Sequence, residues 1–279
     1  MTLVDLHCHS TASDGALAPG EVVVQAARAG VTTLALTDHD TFEGLPEAIA
    51  AAVRAGIELA IGTELSVRGP LGSMHLLAYL PALDSEPLAG RMRAIAEYRS
   101  TRNQRIVERL GELGYPIRWQ DVVVKAKGRV GRPHIAQALV DAGYVETVQQ
   151  AFDELLSDSG PAYLEAGSLG PVEAVGIIHA SGGAAVLAHP YTLRMEDAAL
   201  STFVGELAAA GLAGLECFRR DHDDAMREAN LALCRRHDLV PTGGSDFHGT
   251  RDDEIGDVGP VPLPADSFAQ LMQRTTSVQ

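Results

Sequence analysis

The stretch Asp5-Leu6-His7-Cys8-His9 constrains this chain more than any other. It follows a short apolar start, Leu3-Val4, and precedes the polar, turn-rich run Ser10-Thr11-Ala12-Ser13-Asp14-Gly15. It therefore reads as a strand that enters a loop. Side chains alternate along a strand, so His7 and His9 share one face while Leu6 and Cys8 share the other. Two imidazoles on one face, followed by a carboxylate in the loop, make a donor set for a divalent cation. Taken alone, the pair is more simply two polar residues at a wet sheet edge. Repetition of the same chemistry at later strand ends favours the metal.

Downstream, apolar runs alternate with helical patterns. A helix from about Ala18 to Ala29 closes at Gly30, and Val31 to Leu36 is a buried strand ending in Thr37-Asp38-His39-Asp40. A helix from about Gly44 to Ala55 closes at Gly56, and the third strand, Ile57 to Ile61, ends at Gly62-Thr63-Glu64. A Gly/Pro-rich loop then leads to His75, which heads a fourth strand, Leu76 to Leu80. Helical patterns fill the next hundred or so residues, at about Leu88 to Leu113, Pro133 to Ala142, Val148 to Leu156 and Pro171 to Ala180. Alternation resumes with strand Ala184 to Ala188 before His189-Pro190, a helix at about Leu200 to Ala210, and strand Leu212 to Phe218. A helix at about Asp224 to His237 precedes Leu239 to Thr242, which ends at Gly243-Gly244-Ser245-Asp246-Phe247-His248; a short helix, Ser267 to Met272, closes the chain. Seven strands mostly alternating with helices predict an α/β protein whose largely parallel sheet closes into a barrel. Residues 1–89 and 166–279 form the barrel domain on this reading, and 90–165 a helical insertion. His7, His9, His39, Glu64, His189, Asp246 and His248 then fall at carboxyl ends of strands, where such barrels carry their chemistry. His75 starts its strand, and reaches the same end only if that strand runs opposite to its neighbours.

Bulk properties narrow the class. The chain has 279 residues and a net charge of −15, so its surface repels nucleic acid and acidic membranes except where basic residues gather. Cys8, Cys217 and Cys234 form no CxxC pair and no even framework, which fits a reducing compartment. Met1 leads straight into the first strand without a signal-peptide pattern, and no apolar run approaches the roughly 20 residues of a membrane span. A soluble, cytoplasmic protein is expected, with no membrane and no double-stranded DNA among its partners.

His7, His9, His39, His75, His189 and His248, with Asp14, Asp38, Glu64 and Asp246, are too many ionisable groups to bury unpaired. Divalent ions solve that problem, and there are donors for more than one. The segments Asp5-Leu6-His7-Cys8-His9-Ser10, Thr37-Asp38-His39-Asp40, Ala188-His189-Pro190 and Gly244-Ser245-Asp246-Phe247-His248 resemble the motifs of the polymerase and histidinol phosphatase (PHP) family. The resemblance covers nearly the whole chain, in the family's motif order. It implies a distorted (β/α)7 barrel and a trinuclear site for manganese, with iron or zinc as alternatives. It implies that His7, His9, Glu64 and Asp246 hold one ion; Glu64, His75 and His189 a second; and Asp14, His39 and His248 a third. Asp38 would orient a histidine from behind, and Asp38, His189 and Asp246 would serve a catalytic metal-bridging hydroxide.

The insertion suggests the substrate. From Arg91 to Arg132 there are eleven basic residues against four acidic ones, a net +7 inside a chain of −15. Arg99 and Arg102 share a helix face, where their guanidinium forks could converge on phosphate; spacing alone allows a merely solvated face equally well. The insertion, with Arg99-x-x-Arg102 and Arg132-x-His134, resembles that of the nucleoside 3′,5′-bisphosphate phosphatases of the family, also described as 5′-to-3′ exonucleases on short RNA. In those the insertion caps the site and arginines hold the 5′-phosphate while the neighbouring 3′-phosphoester is cleaved. The resemblance thus implies a phosphate grip of Arg99, Arg102, Arg132 and His134, and a nucleotide or a short RNA 5′ end as substrate. His222 reads equally as a phosphate or sugar contact and as a surface residue. Phe218 and Tyr191 follow strand ends but read first as packing. Histidinol-phosphate phosphatase activity is the alternative among hydrolases. A PHP module that binds nucleotide or phosphate without turnover is the alternative outside them.

Overall fold

The computed structural model describes residues 3–126, 130–157, 159–164, 169–249, 258–264 and 266–274, with the side chains of Arg99 and Ser100 outside that description. Lys127 and Arg129, two cations of the basic segment, lie outside the described residues, as does the tail beyond Arg274. Two compact units emerge: Met1–Arg91 with Leu169–Gln279, and Met92–Ser168.

The first unit is the α/β barrel. Its strands are β1 (Val4–Asp5), β2 (Thr33–Leu36), β3 (Glu58–Gly69), β4 (Gly72–Leu80), β5 (Ala184–Leu187), β6 (Leu212–Phe218) and β7 (Val240–Gly243). They lie side by side in chain order. The seam between β7 and β1 is nearly closed: Leu6 N donates to Gly243 O at 3.3 Å, and Asp246 N donates to His7 O at 2.7 Å. Asp5 clasps the same seam, accepting Ser245 N at 2.8 Å and Gly259 N at 3.1 Å. Outer helices include α1 (Pro19–Arg28), α2 (Leu45–Ala55), α7 (Pro171–Ala180), α8 (Asp197–Ala209), α9 (Asp224–His237) and α10 (Ser267–Gln273). Proline opens α1 and α2 within the first turn, and Gly56 ends α2 in the left-handed conformation.

β4 is antiparallel to both neighbours, β3 and β5, while the other strand pairs are parallel. The turn after Glu64 differs from the expected loop. β3 continues five residues beyond Glu64 and folds back through Pro70-Leu71 as a hairpin with β4, so His75 sits within its strand, opposite Ser66. The run Ser66-Val67-Arg68 supplies the alternation that makes this possible, with Val67 buried. Direct cross-strand partners share a face, so Ser66 and His75 lie on the side that Glu64 also takes, two residues earlier.

Inside the barrel, Leu6, Ala35, Leu77, Tyr79, Val186 and Val240 pack together. Tyr79 is fully buried and its hydroxyl donates to Leu6 O at 2.8 Å. Tyr79→Phe should lower stability by about 1–2 kcal/mol, read as a shift in urea midpoint at constant slope, because a buried carbonyl loses its donor. Cys8 faces the layer under α1 and α2, packed with Val22, Leu34 and Ala48. Cys217 and Cys234, distant in sequence, meet with sulfurs 3.4 Å apart and both thiols free.

The second unit holds most of α3 (Leu88–Glu112), with α4 (Trp119–Val123), α5 (Arg132–Asp141) and α6 (Val148–Ala151), the last running into a π-turn, Phe152–Leu156. It has a core of its own, built from Ile106, Leu110, Val122, Ile135, Leu139 and Leu156. α4 is one short turn with Val122 as its one buried residue, too brief for a helical period to mark it in the sequence. No described helix is long and apolar enough to cross a membrane.

Candidate metal centre

The strand ends of the barrel deliver the chemistry to one place. His7, His9 and Asp14 follow β1, and His39 follows β2, bridged to Glu64 on β3. His75 comes from β4, His189 follows β5, and Asp246 and His248 follow β7. Two of these residues, His189 (φ 26°) and Asp246 (φ 53°), have left-handed backbone. That conformation costs on the order of 1–3 kcal/mol for a non-glycine residue and persists only where the surroundings hold it. Glu216 does so for His189, accepting its backbone N–H at 2.7 Å. Gly244 permits the approach of the β7 loop to β1, since a Cβ there would lie 2.4 Å from the Cβ of His7.

Glu64 is the hub. Its Oε2 lies 3.1 Å from His7 Nε2, 3.0 Å from His9 Nε2 and 3.4 Å from His39 Nδ1. Its Oε1 lies 2.9 Å from both His75 Nδ1 and His189 Nε2. One carboxylate therefore offers each oxygen to a different set of imidazoles. Among the described residues, donor atoms gather in three overlapping groups, each within 4.8 Å: His7, His9, Glu64 and Asp246; His9, Asp14, His39 and His248; and His39, Glu64 and His75. His189 adjoins the third group, its Nε2 3.3 Å from His75 Nδ1.

The hydrogen bonds around the cluster decide what it lacks. Glu216 Oε1 lies 2.9 Å from His7 Nδ1 and, as a buried carboxylate, accepts the hydrogen bond of the ring N–H there. His7 Nε2 is then the atom turned to the cluster, and within 3.2 Å it meets His9 Nε2, Glu64 Oε2 and Asp246 Oδ1. In the same way, His248 Nδ1 donates to Asp246 O at 2.9 Å, which turns its Nε2 toward Asp14. His9 Nδ1 and His39 Nδ1 are buried with no hydrogen-bond partner among the described residues. Such a convergence of lone pairs needs protons or cations between the atoms. The titration behaviour agrees. Burial works against charge at His9, yet bonds to Asp246 and Glu64 push it up to about 9. Burial likewise opposes the ionised form of Glu64, but the facing His7 charge and the bonds from His189, His7 and His75 hold its carboxyl well below the usual range. The pocket is thus built to stabilise positive charge, and its donors fit divalent ions that replace the protons.

Asp38, expected behind a histidine, instead holds a turn. Its carboxylate accepts Ser10 N at 2.8 Å, Ser10 Oγ at 2.7 Å and Ser13 Oγ at 2.7 Å, which fixes the loop that carries Asp14. His222 stands outside the donor cluster. It is buried, with Nδ1 donating to Cys217 O at 3.0 Å, and its ring meets Tyr191 edge-on at 5.6 Å. In the second unit, Arg102 and Arg132 line one cavity of about 360 Å³ with Asn103, Gly131 and Phe152. Their guanidinium carbons sit 5.4 and 5.6 Å from the ring centre of Tyr163. Backbone carbonyls take one donor of each: Arg102 Nε donates to Leu164 O and Arg132 Nη1 to Leu156 O. His134 Nδ1 accepts Gly131 N at 3.0 Å, closing the start of α5. The Arg99 side chain lies outside the described residues.

The sequence reading passed over Glu216, Arg219 and Asp221. Arg219 is buried and donates to Asp246 Oδ2 at 3.1 Å and to Asp221 Oδ1 at 3.0 Å. A visible signal existed at Glu216, a charge inside the otherwise apolar run Leu212 to Phe218, every residue of which is buried. A carboxylate in a strand covered on both faces must serve a partner.

Comparison with known proteins follows the same lines. The family model of the PHP domain matches residues 5–165. A 3′,5′-nucleoside bisphosphate phosphatase from Chromobacterium violaceum is 36% identical over 272 residues, covering 94% of this chain and 93% of its own. A 5′-3′ exoribonuclease from Haemophilus influenzae is 35% identical over 248 residues, covering 88% of this chain and 89% of its own. Among solved structures, an amidohydrolase from Chromobacterium violaceum with bound sulfate and no metal superposes with a TM-score of 0.76 at 33% identity, over 98% of this chain and 97% of that one.

Proposed function

Because the chain belongs to the PHP domain family, we propose that it is a metal-dependent phosphoesterase that removes the 3′-phosphate of nucleoside 3′,5′-bisphosphates. The products are the 5′-nucleotide and phosphate, and the same site would cleave short RNA from its 5′ end. The observation that carries this reading is Glu64, whose two oxygens divide five buried or half-buried imidazoles into adjoining donor sets. The relatives named for bisphosphate and RNA hydrolysis support the substrate class.

Three ions, most simply manganese, fit the donors: His7, His9, Glu64 and Asp246 for one; Glu64, His75 and His189 for a second; Asp14, His39 and His248 for a third. When bound, divalent ions polarise a phosphoryl oxygen and bring the pKa of water near neutrality. The chain's own groups prepare the site. Glu216 keeps the His7 proton on Nδ1, and Thr192 Oγ1, 3.1 Å from His189 Nδ1, steadies that ring. Asp38 fixes the turn before Asp14. In the inserted unit, Arg99, Arg102, Arg132 and His134 are proposed to bind the 5′-phosphate, which supplies binding energy away from the reacting centre. The cavity lined by Arg102 and Arg132, with Asn103 beside them, supports that role. His222 is proposed as a further phosphate or sugar contact, because its Nε2 is buried without a hydrogen-bond partner among the described residues.

The test is phosphate release by manganese-loaded protein from adenosine 3′,5′-bisphosphate, histidinol phosphate and 5′-AMP in parallel. We expect kcat/KM for the bisphosphate to exceed the others by roughly 10²-fold, the effect of losing charged hydrogen bonds to a second phosphate. AMP should accumulate and resist further hydrolysis. Preference for histidinol phosphate would leave the metal centre intact and remove the assignment of the basic insertion.

A further inference from the structure

Asp246 has two carboxylate oxygens in different company. Oδ1 faces the donor cluster, 3.2 Å from both His7 Nε2 and His9 Nε2. Oδ2 is taken by Arg219 Nη1 at 3.1 Å. The Arg219 side chain has no exposed surface; Nη1 also lies 3.6 Å from Glu216 Oε2, while Nε donates to Asp221 Oδ1 at 3.0 Å and Nη2 to Asp221 Oδ2 at 3.2 Å. Asp221 Oδ2 in turn accepts the Tyr191 hydroxyl at 3.0 Å, and the Tyr191 ring lies 5.8 Å from the Arg219 guanidinium carbon. Tyr191, 43% exposed, stands at the outer end of this series. A hydrogen-bonded line therefore runs Tyr191, Asp221, Arg219, Asp246, from solvent to a residue of the donor cluster.

We infer that Arg219 is a positioning residue for the metal centre: by occupying Oδ2 it makes Asp246 a one-oxygen ligand and holds its left-handed backbone in place, with Asp221 as the brace that keeps the guanidinium fork in register. This rests on the reading of the cluster as a metal centre. Stability alone does not account for the arrangement, since a buried ion group can often be exchanged for apolar side chains without loss. What apolar groups cannot do is assign the two oxygens of one carboxylate to different partners. A lysine at the same place keeps the charge but loses the fork, so Arg219→Lys separates alignment from charge.

The experiment uses full-length protein stripped by chelator, then titrated with Mn²⁺ while free Mn²⁺ is followed by electron paramagnetic resonance. Wild type, Arg219→Lys and Asp221→Asn are compared, and thermal melts of the metal-free forms report the scaffold. One class of Mn²⁺ site in Arg219→Lys should weaken by about 10–100-fold, the usual cost of losing an outer partner of a ligand, with the other classes unchanged. Asp221→Asn should fall between the two. The KM for an aryl phosphate should stay near wild type while kcat falls. Wild-type Mn²⁺ titrations in both variants would overturn the inference, as would equal weakening of every class together with a lowered metal-free melt, which is the mark of a general structural role. If Arg219→Lys fails to fold, Asp221→Asn decides by the same criteria. A wild-type protein that takes up no Mn²⁺ would instead refute the metal reading itself.

Discussion

Glu64→Gln should reduce turnover by about 10³-fold or more and abolish tight manganese binding. The expected size follows from the several kcal/mol that metal catalysis supplies, at 1.36 kcal/mol per factor of ten. Glutamine keeps the shape of Glu64 but replaces one acceptor oxygen by an amide nitrogen with no lone pair to give. Oε1 and Oε2 serve different imidazoles, so either orientation of the amide deprives one donor set of its oxygen, and both lose the negative charge. His75 also loses the carboxylate that, against the effect of burial, favours its charged form. Metal content of purified protein, measured by mass spectrometry, and phosphate release from the bisphosphate check this. Near-normal metal content and turnover would remove Glu64 from the centre of the site.

The second large effect concerns substrate choice. Arg132→Ala should lower kcat/KM for adenosine 3′,5′-bisphosphate by roughly 10²-fold, since removing a charged hydrogen-bond donor costs about 1.5–3 kcal/mol and the grip uses more than one. Activity on an aryl phosphate, which has no second phosphate, should change by no more than about threefold by the same reasoning. Arg132 also donates to Leu156 O and lies 5.9 Å from the Phe152 ring centre, so Arg132→Lys serves as the companion variant that keeps a cation in place. Equal loss on both substrates would assign Arg132 to the packing of the inserted unit.

Much of this site was legible before the fold was known, and the reason is geometric. A parallel barrel collects strand ends, so histidines and carboxylates at successive strand ends are neighbours wherever the strands lie side by side. His7, His9, His39, Glu64, His189, Asp246 and His248 follow that rule. His75 needed a reversed strand, and the hairpin of β3 and β4 provides it, although the length of β3 beyond Glu64 was hidden by its exposed and half-buried polar residues Ser66 and Arg68. Outer partners were less legible because a side chain's hydrogen bonds depend on distances no spacing reveals. Asp38 sits beside His39 in sequence yet bonds Ser10 and Ser13. Glu216 and Arg219 sit far from any motif yet touch His7, His189 and Asp246. The pairing of Cys217 with Cys234 was invisible for the same reason: a strand and the helix after it bring them together.

The clasp of Asp5 on Ser245 and Gly259 has a consequence for the order of assembly. Its two partners are separated from it by 240 and 254 positions, close to the whole length of the chain. Contacts of such long range close late, because the loop entropy must be met before they contribute. His7 and His9 leave the ribosome well before Asp246 and His248, which cannot join them until the last strand has been made. Competence is therefore a property of the finished ring, and a bound cation would act as the rivet across its joint, tying the first strand to the last and lowering the population of opened forms by mass action.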